Sequence, residues 1–217
     1  MQPMVHSGPD TAVMLVSQTG EDLCLGFANT LAWRGRAAPV ENFTDFAAVL
    51  AWAGTHAAMS DHVAGGLRDW ARAHPSQATK LLAEAIALRE AIHGIVGALA
   101  CGAPVGTQDL AALSQALSEA PTRRQLVRSG TGYAWRIELA RLDGAGLPIP
   151  VLLAPVVWSA ADLMVGSGRR RIRQCANSEC LWLFVDESKN GTRRWCDMAS
   201  CGNRAKARRH YLKMKQG

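Results

Sequence analysis

The 217-residue sequence has no uninterrupted apolar run that would cross a membrane and no basic, apolar N-terminal segment typical of a secretion signal. Its most apolar stretch, residues 147–166, contains three prolines and an aspartate. Because a membrane-spanning helix requires about 20 predominantly apolar residues, we expect this stretch to be buried inside the protein. The two absences predict a cytoplasmic protein without a membrane-spanning segment.

The common catalytic signatures are also missing from the sequence. It contains no glycine-rich phosphate loop, no HExxH motif and no GxSxG motif, and its six histidines are scattered along the chain. We therefore predict that the protein is not an enzyme. An enzyme built around a metal ion is the alternative, and it would require an open coordination position on that metal.

Acidic residues are scarce at the C-terminal end of the chain. Residues 169–217 contain thirteen Lys or Arg against four acids, a net charge of +9, whereas the first 168 residues carry a net charge of −3. This asymmetry predicts a nearly neutral domain followed by a basic one, and a basic domain favours polyanions such as nucleic acid as partners. A charged surface that is merely solvated is the alternative interpretation.

Apolar residues recur at helical spacing through most of the first 168 residues. The longest pattern runs from Leu81 to Leu99 and is closed by Gly102. Another helix is predicted to begin near Thr44 as its N-cap and a further one at Thr107, while the pattern that begins near residue 20 should end at Gly35.

Other parts of this region predict extended structure. Residues 124–139 alternate around a Ser-Gly-Thr-Gly turn, which indicates a β-hairpin, and an extended buried segment followed by a helix is expected from about Ile149. We predict a mainly α (α+β) protein with three parts. These are a loose leader (1–18), a helical domain with a small hairpin (19–168) and a C-terminal domain (169–217).

Four of the six cysteines cluster in the pattern C-x4-C, fifteen intervening residues, C-x4-C: Cys175, Cys180, Cys196 and Cys201. Disulfides are rare in the cytoplasm, so metal binding is the expected use of these thiols. Zinc prefers four soft ligands in a tetrahedron, and two short Cys pairs supply them. An iron–sulfur cluster or four incidental thiols are the alternatives. Cys24 and Cys101 lie alone among apolar residues and are expected to be buried.

The residues between and after the two Cys pairs predict a hairpin and a helix. Residues 181–186 alternate as a strand, Asn190-Gly191 is a turn signal, and residues 193–195 are expected to return as the partner strand. Helix propensity is high after Cys201, with Gly202 or Asn203 as the capping position. The apolar stripe of this helix is expected to pack on the hairpin: Ala207, Tyr211 and Met214.

The rest of this C-terminal helix is cationic, and its width suits the major groove of B-DNA, where Arg pairs with guanine. We predict that nine residues in and before the helix contact nucleic acid. They are Arg193, Arg194, Asn203, Arg204, Lys206, Arg208, Arg209, Lys213 and Lys215.

The stretch "CANSECLWLFVDESKNGTRRWCDMASCGNRAKARRHY" resembles the CGNR zinc finger, named for the tetrapeptide at residues 201–204. The resemblance covers about residues 171–211 and includes all four clustered cysteines. The upstream region, beginning "LCLGFANTLAWRG", is similar to the ABATE domain that precedes this finger in stress-induced bacterial transcription regulators. The resemblance implies a treble-clef-like finger in which four cysteines hold one structural Zn²⁺, as part of a DNA-binding regulator.

A regulator of this kind is expected to bind double-stranded DNA as a homodimer, since one short helix reads few base pairs and a second half-site adds specificity. The helical domain would bind a small-molecule effector or form the dimer. The predicted effector contacts are three polar residues near the first helix: Asn29, Thr30 and Arg34. An RNA-binding or protein-docking zinc module is the alternative function.

Overall fold

The computed structural model describes residues 12–16, 22–56, 61–139, 147–166 and 171–215. Helices dominate these ranges, and the mainly α (α+β) class predicted from the sequence is confirmed. Among the described residues, the model contains no helix that combines the length and the apolar character needed to cross a membrane. The helices are α1 (Leu23–Ala28), α2 (Phe46–His56), α3 (Asp61–Ala73), α4 (Pro75–Cys101), α5 (Thr107–Glu119), α6 (Ile149–Leu152), α7 (Ala154–Gly166) and α8 (Asn203–Lys215).

The strands in these ranges form three small antiparallel sheets. The largest contains β1 (Ala12–Val16), β4 (Leu126–Ser129) and β5 (Gly132–Leu139), with β5 in the middle. A two-residue hairpin, β2 (Leu31–Ala32) with β3 (Val40–Glu41), follows α1. The third sheet pairs β6 (Ile172–Gln174) with β7 (Leu183–Val185) and carries the first two clustered cysteines in its connection.

Helix α4 is the central element of the hydrophobic core. It starts with Pro75, whose missing N–H has no helical partner at this position, and it ends at Gly102, which adopts a left-handed conformation with φ 66°. Its buried side chains follow helical spacing, and α1, α2, α3 and α5 pack against them. The long helix predicted from the sequence is therefore confirmed, including its final residue.

The strands of the C-terminal region belong to this same core. Strands β6 and β7 pack against α4, and β7 also contacts α1. The side chains of Ile172, Leu183 and Val185 are buried in one hydrophobic cluster with the helices of the upstream region. The main hydrophobic core therefore extends across the charge division of the sequence.

The predicted loose leader contains a strand. Residues Ala12–Val16 pair with β5, where Met14 lies opposite Ile137, and the side chains of Met14 and Val16 are 1% exposed. The prediction was wrong for these five residues because their partner strand lies far along the chain and leaves no local pattern. The other residues of the predicted leader, 1–11 and 17–18, lie outside the described ranges.

The apolar segment after residue 147 is helical rather than extended. Pro150 and Pro155 lie in the first turns of α6 and α7, where a backbone N–H would have no partner within the helix. The prediction of an extended segment was therefore wrong for residues 149–152, which form α6, whereas the helix predicted to follow it is present as α7.

Three local expectations also fail. The first helix ends at Ala28 instead of Gly35, because the chain turns there and the Thr30 hydroxyl donates to the Phe27 carbonyl at 2.7 Å. Helix α2 is capped by Asp45 rather than Thr44, since the Asp45 carboxylate accepts from the Ala48 N–H at 2.8 Å. Cys24 is buried as expected, but Cys101 is exposed at the end of α4.

A buried arginine joins the β2–β3 hairpin to α4. Arg89 is 1% exposed, and its guanidinium donates to both carboxylate oxygens of Glu41 at 2.5 and 2.7 Å and to Glu90 at 2.8 Å. Glu90 also accepts from Arg34 at 2.6 Å. Burial alone would raise the pKa of both carboxyl groups, but hydrogen bonds from the two arginines lower it, so this network is ionised and balanced.

The substitution Arg89→Met tests how much this network stabilises the fold. It leaves two carboxylates without their shared cation, and because both remain partly exposed we expect the free energy of unfolding to fall by about 3 kcal/mol, the lower end for a broken buried ion pair. Denaturant titration measures this change. The control Arg72→Met removes a cation from an exposed pair with Asp69 and should change stability little. Equal effects of the two substitutions would contradict a structural role of the network.

Candidate metal centre and nucleic-acid interface

The first Cys pair lies in the tight connection between β6 and β7. The Cys175 N–H donates to the Trp182 carbonyl at 2.8 Å, and the Cys180 N–H donates to the Asn177 carbonyl at 2.8 Å. The Asn177 side chain accepts from the Glu179 N–H at 3.1 Å, which tightens the same turn. These bonds place both sulfurs on one side of the connection.

The strand partner within the finger differs from the predicted one. Strand β7 pairs with β6, which precedes the cysteines, whereas residues 193–195 form no strand. The reason lies at Asp186, whose carboxylate accepts from the Ser188 N–H and hydroxyl and from the Arg193 N–H and so closes a loop. The returning chain then makes the bond from the Ala176 N–H to the Arg194 carbonyl.

The second Cys pair leads into α8 through a π-helical turn, Met198–Gly202. Asp197 caps this turn by accepting from the Ala199 and Ser200 N–H groups at 3.2 and 2.9 Å. The predicted cap at Gly202 or Asn203 is wrong, because the helical segment already begins at Met198 and continues through Gly202 into α8. A Cβ on Gly202 would lie 2.8 Å from the Met198 sulfur, so the flexible Met198 side chain would have to move to accommodate it.

The four cysteine sulfurs converge on one point. All lie within 4.8 Å of one another, with Sγ–Sγ distances of 3.6 Å from Cys180 to Cys196 and 3.8 Å from Cys196 to Cys201. A tetrahedral zinc ion with Zn–S bonds of about 2.3 Å separates its sulfurs by about 3.8 Å. The donor set and its spacing thus fit one Zn²⁺ ion, as predicted.

The surroundings of Cys180, Cys196 and Cys201 change the pKa values of these three thiols in different directions. Burial raises the pKa of Cys180 to about 12 and also raises that of Cys196, where the neighbouring thiols add to the effect. Burial opposes ionisation of Cys201 too, but the Asn177 amide, which donates to its sulfur at 3.5 Å, and the other thiols lower its pKa. A divalent cation overcomes the cost of ionising these buried thiols because it stabilises all four thiolates together.

Comparison with known families agrees with this geometry. A family model named ABATE, described as "Putative stress-induced transcription regulator", matches residues 21–167, and the CGNR zinc finger model matches residues 171–213. The chain belongs to the ABATE family. The resemblance seen in the sequence is confirmed for both parts. No curated protein matches the sequence.

The ABATE domain supplies one wall of the zinc finger. Trp33 packs against the cluster formed by Cys175, Cys180, Phe184 and Cys201, together with Trp195 and Cys196. It also lines a cavity of about 140 Å³ beside three of the four sulfurs. Nothing in the local sequence pattern around Trp33 indicates a contact with residues so far along the chain.

Residues around Trp33 dock on the connection that holds the first Cys pair. The Gly35 N–H donates to the Glu179 carbonyl at 3.2 Å, and Arg36 forms an ion pair with the Glu179 carboxylate at 2.9 Å. The backbones approach so closely that a Cβ on Gly35 would lie 1.7 Å from the Ser178 carbonyl oxygen. Only glycine fits at this position.

The three predicted effector contacts are all engaged within the protein. The Asn29 side-chain amide exchanges two hydrogen bonds with the Leu183 backbone, at 2.9 and 3.0 Å, and so extends the edge of β7. Thr30 bonds to the Phe27 carbonyl, and Arg34 pairs with Glu90 and donates to the Ala28 carbonyl. These residues connect the finger and α4 to the turn after α1.

Among the predicted nucleic-acid contacts whose side chains the structure describes, two form hydrogen bonds within the protein itself. Arg193 donates to the carbonyls of Trp195 and Cys196, and the Asn203 amide donates to the Ala199 carbonyl at 3.1 Å. Both therefore brace the turn that carries the second Cys pair.

The other predicted contacts form a cationic surface on and beside α8. Five of these side chains are described and exposed: Arg194, Arg204, Lys206, Arg208 and Lys215. Arg209 and Lys213 are also residues of α8, but their side chains lie outside the described part. A cleft of about 410 Å³ between α8 and the Cys175–Cys180 connection is lined by Arg194, Arg204 and Arg208. The structure therefore brings these three arginines together.

The apolar stripe of α8 does not pack on the hairpin. Tyr211 is 58% exposed, Met214 is 72% exposed and Ala207 is exposed as well. The prediction was wrong because, among the described residues, α8 makes its main contacts with the preceding π-helical turn rather than with the β6–β7 hairpin.

Elemental analysis of the purified protein should give one zinc ion per chain. Replacing one ligand, in Cys180→Ser, should abolish stoichiometric zinc and lower the helical signal in circular dichroism, because metal binding is coupled to folding of this region. The exposed Cys101 provides the control, since Cys101→Ser should retain the metal. Stoichiometric zinc in Cys180→Ser would contradict the proposed ligand set.

Proposed function

We propose that the protein is a DNA-binding transcription regulator in which the zinc centre holds α8 for contact with the duplex. The observation that supports this most directly is the position of α8. It starts at the fourth cysteine ligand, and its described Lys and Arg side chains are exposed. The chain belongs to the ABATE family, whose description as a transcription regulator agrees with this role.

The dimensions of α8 suit the major groove. Its thirteen residues span about 20 Å, and an α-helix fits the width of the groove in B-DNA. Tyr211, Met214 and Lys215 on the later turns of α8 are exposed, so within the described part of the chain a duplex reaches them without first displacing another element. Tyr211 and Met214 then provide exposed apolar contacts on a helix that is otherwise cationic.

The arginine-lined cleft beside α8 suits a backbone phosphate. Arg204 and Arg208 project from the helix, and Arg194 lies on the opposite chain segment. Glu179, the acidic residue of the cleft, is already paired with Arg36, which leaves the three arginines available to an anion. Phosphate contacts of this kind fix the position of a helix in the groove, while base contacts give the specificity.

The proposal includes a homodimer and a structural role for zinc. One helix of this length reads few base pairs, and two copies on adjacent half-sites increase the specificity. Four sulfur ligands complete a tetrahedron, so zinc has no position left for a substrate or a catalytic water, and we propose no enzymatic activity. The reducing cytoplasm, which keeps thiols available to metal, is the proposed location.

RNA binding or docking on a protein is the alternative function. Proteins that recognise RNA usually present exposed aromatic side chains on which bases stack. In the finger Phe184 is buried and Trp195 is half-buried, whereas Trp182 is 37% exposed. Tyr211 on α8 is a further exposed aromatic side chain, so the preference for duplex DNA over single-stranded RNA rests on the cationic helix and its fit to the major groove.

Salt dependence of binding tests the DNA proposal. If about five phosphates are contacted, the logarithm of the binding constant for duplex DNA should fall with the logarithm of salt with a slope of about −4 to −5. Lys206→Ala should make this slope shallower by about one. The control Lys80→Ala removes an exposed lysine on α4 and should leave it unchanged. Fluorescence anisotropy measures each slope.

The same titration distinguishes the alternatives. Equal affinity for duplex DNA, single-stranded DNA and structured RNA would contradict the regulator proposal, and binding to none of them would favour a protein-docking role. Sequencing the genomic fragments retained at moderate salt would identify the operator.

A groove in the helical domain is the proposed effector site, because the three residues first predicted for this role are engaged elsewhere. It has a volume of about 640 Å³, within the range of small-molecule sites, and it lies between α2, α3 and α4. Its walls are mainly apolar, with Phe46, Leu50 and Leu82, while Arg68 and Arg72 stand among its lining residues. Arg72 is paired with Asp69, and the lining residue Asp45 caps α2, so Arg68 is the lining cation proposed to meet an acidic group on an otherwise apolar molecule.

An anionic fluorescent probe tests this site. Anilinonaphthalene sulfonate should bind the zinc-loaded protein, and Arg68→Ala should weaken binding about two- to fivefold, as expected for one exposed charge pair. Arg128→Ala, which removes an exposed arginine on β4, is the control. The neutral analogue phenylnaphthylamine should not respond to Arg68→Ala. Unchanged sulfonate binding in Arg68→Ala would reject the groove as an anion site.

A further inference from the structure

Trp33 connects the ABATE domain to the first turn of α8. Its indole ring packs on the cysteine cluster from the side of the β2–β3 hairpin. Two guanidinium groups stack on this ring: that of Arg36 lies 4.0 Å from the ring centroid and that of Arg204 lies 4.5 Å from it. Arg204 is the fourth residue of the CGNR tetrapeptide and lines the cleft beside α8.

The backbone holds Trp33 in an unusual conformation. Its φ is 56°, in the left-handed region that bulky residues seldom adopt. The conformation is maintained by a bond from the Arg36 N–H to the Trp33 carbonyl at 2.9 Å and by the contacts of Gly35 and Arg36 with Glu179. Strain of this kind persists where the surroundings fix it, and it is common at functional sites.

We propose that Trp33 is a positioning residue for DNA binding: its ring holds the Arg204 guanidinium at the start of α8 in an orientation ready for a phosphate or a base. The inference rests on the proposed function of α8. An arginine that is already ordered loses less conformational entropy when it meets an anion, so its contact is stronger. The ABATE domain thereby contributes a side chain to the nucleic-acid interface.

A purely structural role of Trp33 makes a different prediction. If the ring only fills space beside the sulfurs, a leucine of similar apolar character supports the same function. If the ring holds Arg204 through its π-face, leucine fails and phenylalanine succeeds, because the cation–π attraction requires an aromatic ring. The pair Trp33→Leu and Trp33→Phe therefore separates the two roles.

Nuclear magnetic resonance tests the contact in the zinc-loaded, full-length protein without DNA. The Nε–Hε signal of Arg204, assigned by its absence in Arg204→Lys, should be shifted upfield by the ring current of Trp33. This shift should persist in Trp33→Phe and disappear in Trp33→Leu. Trp182→Leu is the matched control, since Trp182 lines the same small cavity beside the sulfurs, and it should leave the signal in place.

DNA binding by the same variants tests the consequence. Trp33→Leu should weaken duplex binding about two- to fivefold, the size of an exposed cation–π contact, and Trp33→Phe should restore most of it. In an Arg204→Ala background, Trp33→Leu should have no further effect on DNA affinity, because both substitutions remove the same contact between Trp33 and Arg204. Circular dichroism and zinc content verify that each variant is folded.

The outcomes separate this inference from the proposed function. An unshifted Arg204 signal in the wild type, or wild-type DNA affinity in Trp33→Leu, would overturn the role of Trp33 while DNA binding by the finger stands. If the wild type does not bind duplex DNA, the proposed function fails together with the role in binding, and the Arg204 signal still decides whether Trp33 holds this side chain.

Discussion

The C-terminal region depends on the convergence of four sulfur atoms from two turns of the chain. Besides the cysteines, Phe184 is the buried side chain of the cluster around these sulfurs within the described residues. Apolar burial on this scale stabilises little structure, whereas binding of structural zinc contributes about 10–16 kcal/mol in finger peptides. Metal coordination is therefore the interaction that fixes the direction in which α8 leaves the molecule.

The two halves of the finger are anchored in different ways. The β6–β7 hairpin is held by the hydrophobic core of the ABATE domain, through Ile172, Leu183 and Val185. The turn and helix that follow the second Cys pair are held by the sulfurs and by the contacts of Trp33 and Arg204. The β6–β7 hairpin of the finger is thus fixed by the core of the ABATE domain, whereas the turn and helix after the second Cys pair depend on the metal. The basic helix therefore lies at the edge of the structure that supports it.

Local patterns in the sequence predicted the features that depend on short spacing. The spacing of neighbouring residues is sufficient to predict the Cys pairs, the long helix α4 and the hairpin at residues 126–139. The failures involve partners far along the chain: β1 needs β5, Asn29 needs Leu183, and Trp33 needs Arg204. The exposed stripe of α8 failed for the related reason that amphipathic spacing does not identify the surface it meets.

The closeness of Gly35 to Ser178 limits which upstream domains can carry this finger. The finger contacts the neighbouring domain through closely packed backbone, so it cannot simply be transferred to another domain. A recipient domain would need the same turn, a glycine at the contact and a tryptophan beside it. Recombination within the family is therefore expected to respect the pairing of residues 33–36 with 177–180, and chimaeras made at the boundary between the two family matches will need to carry both segments from one parent.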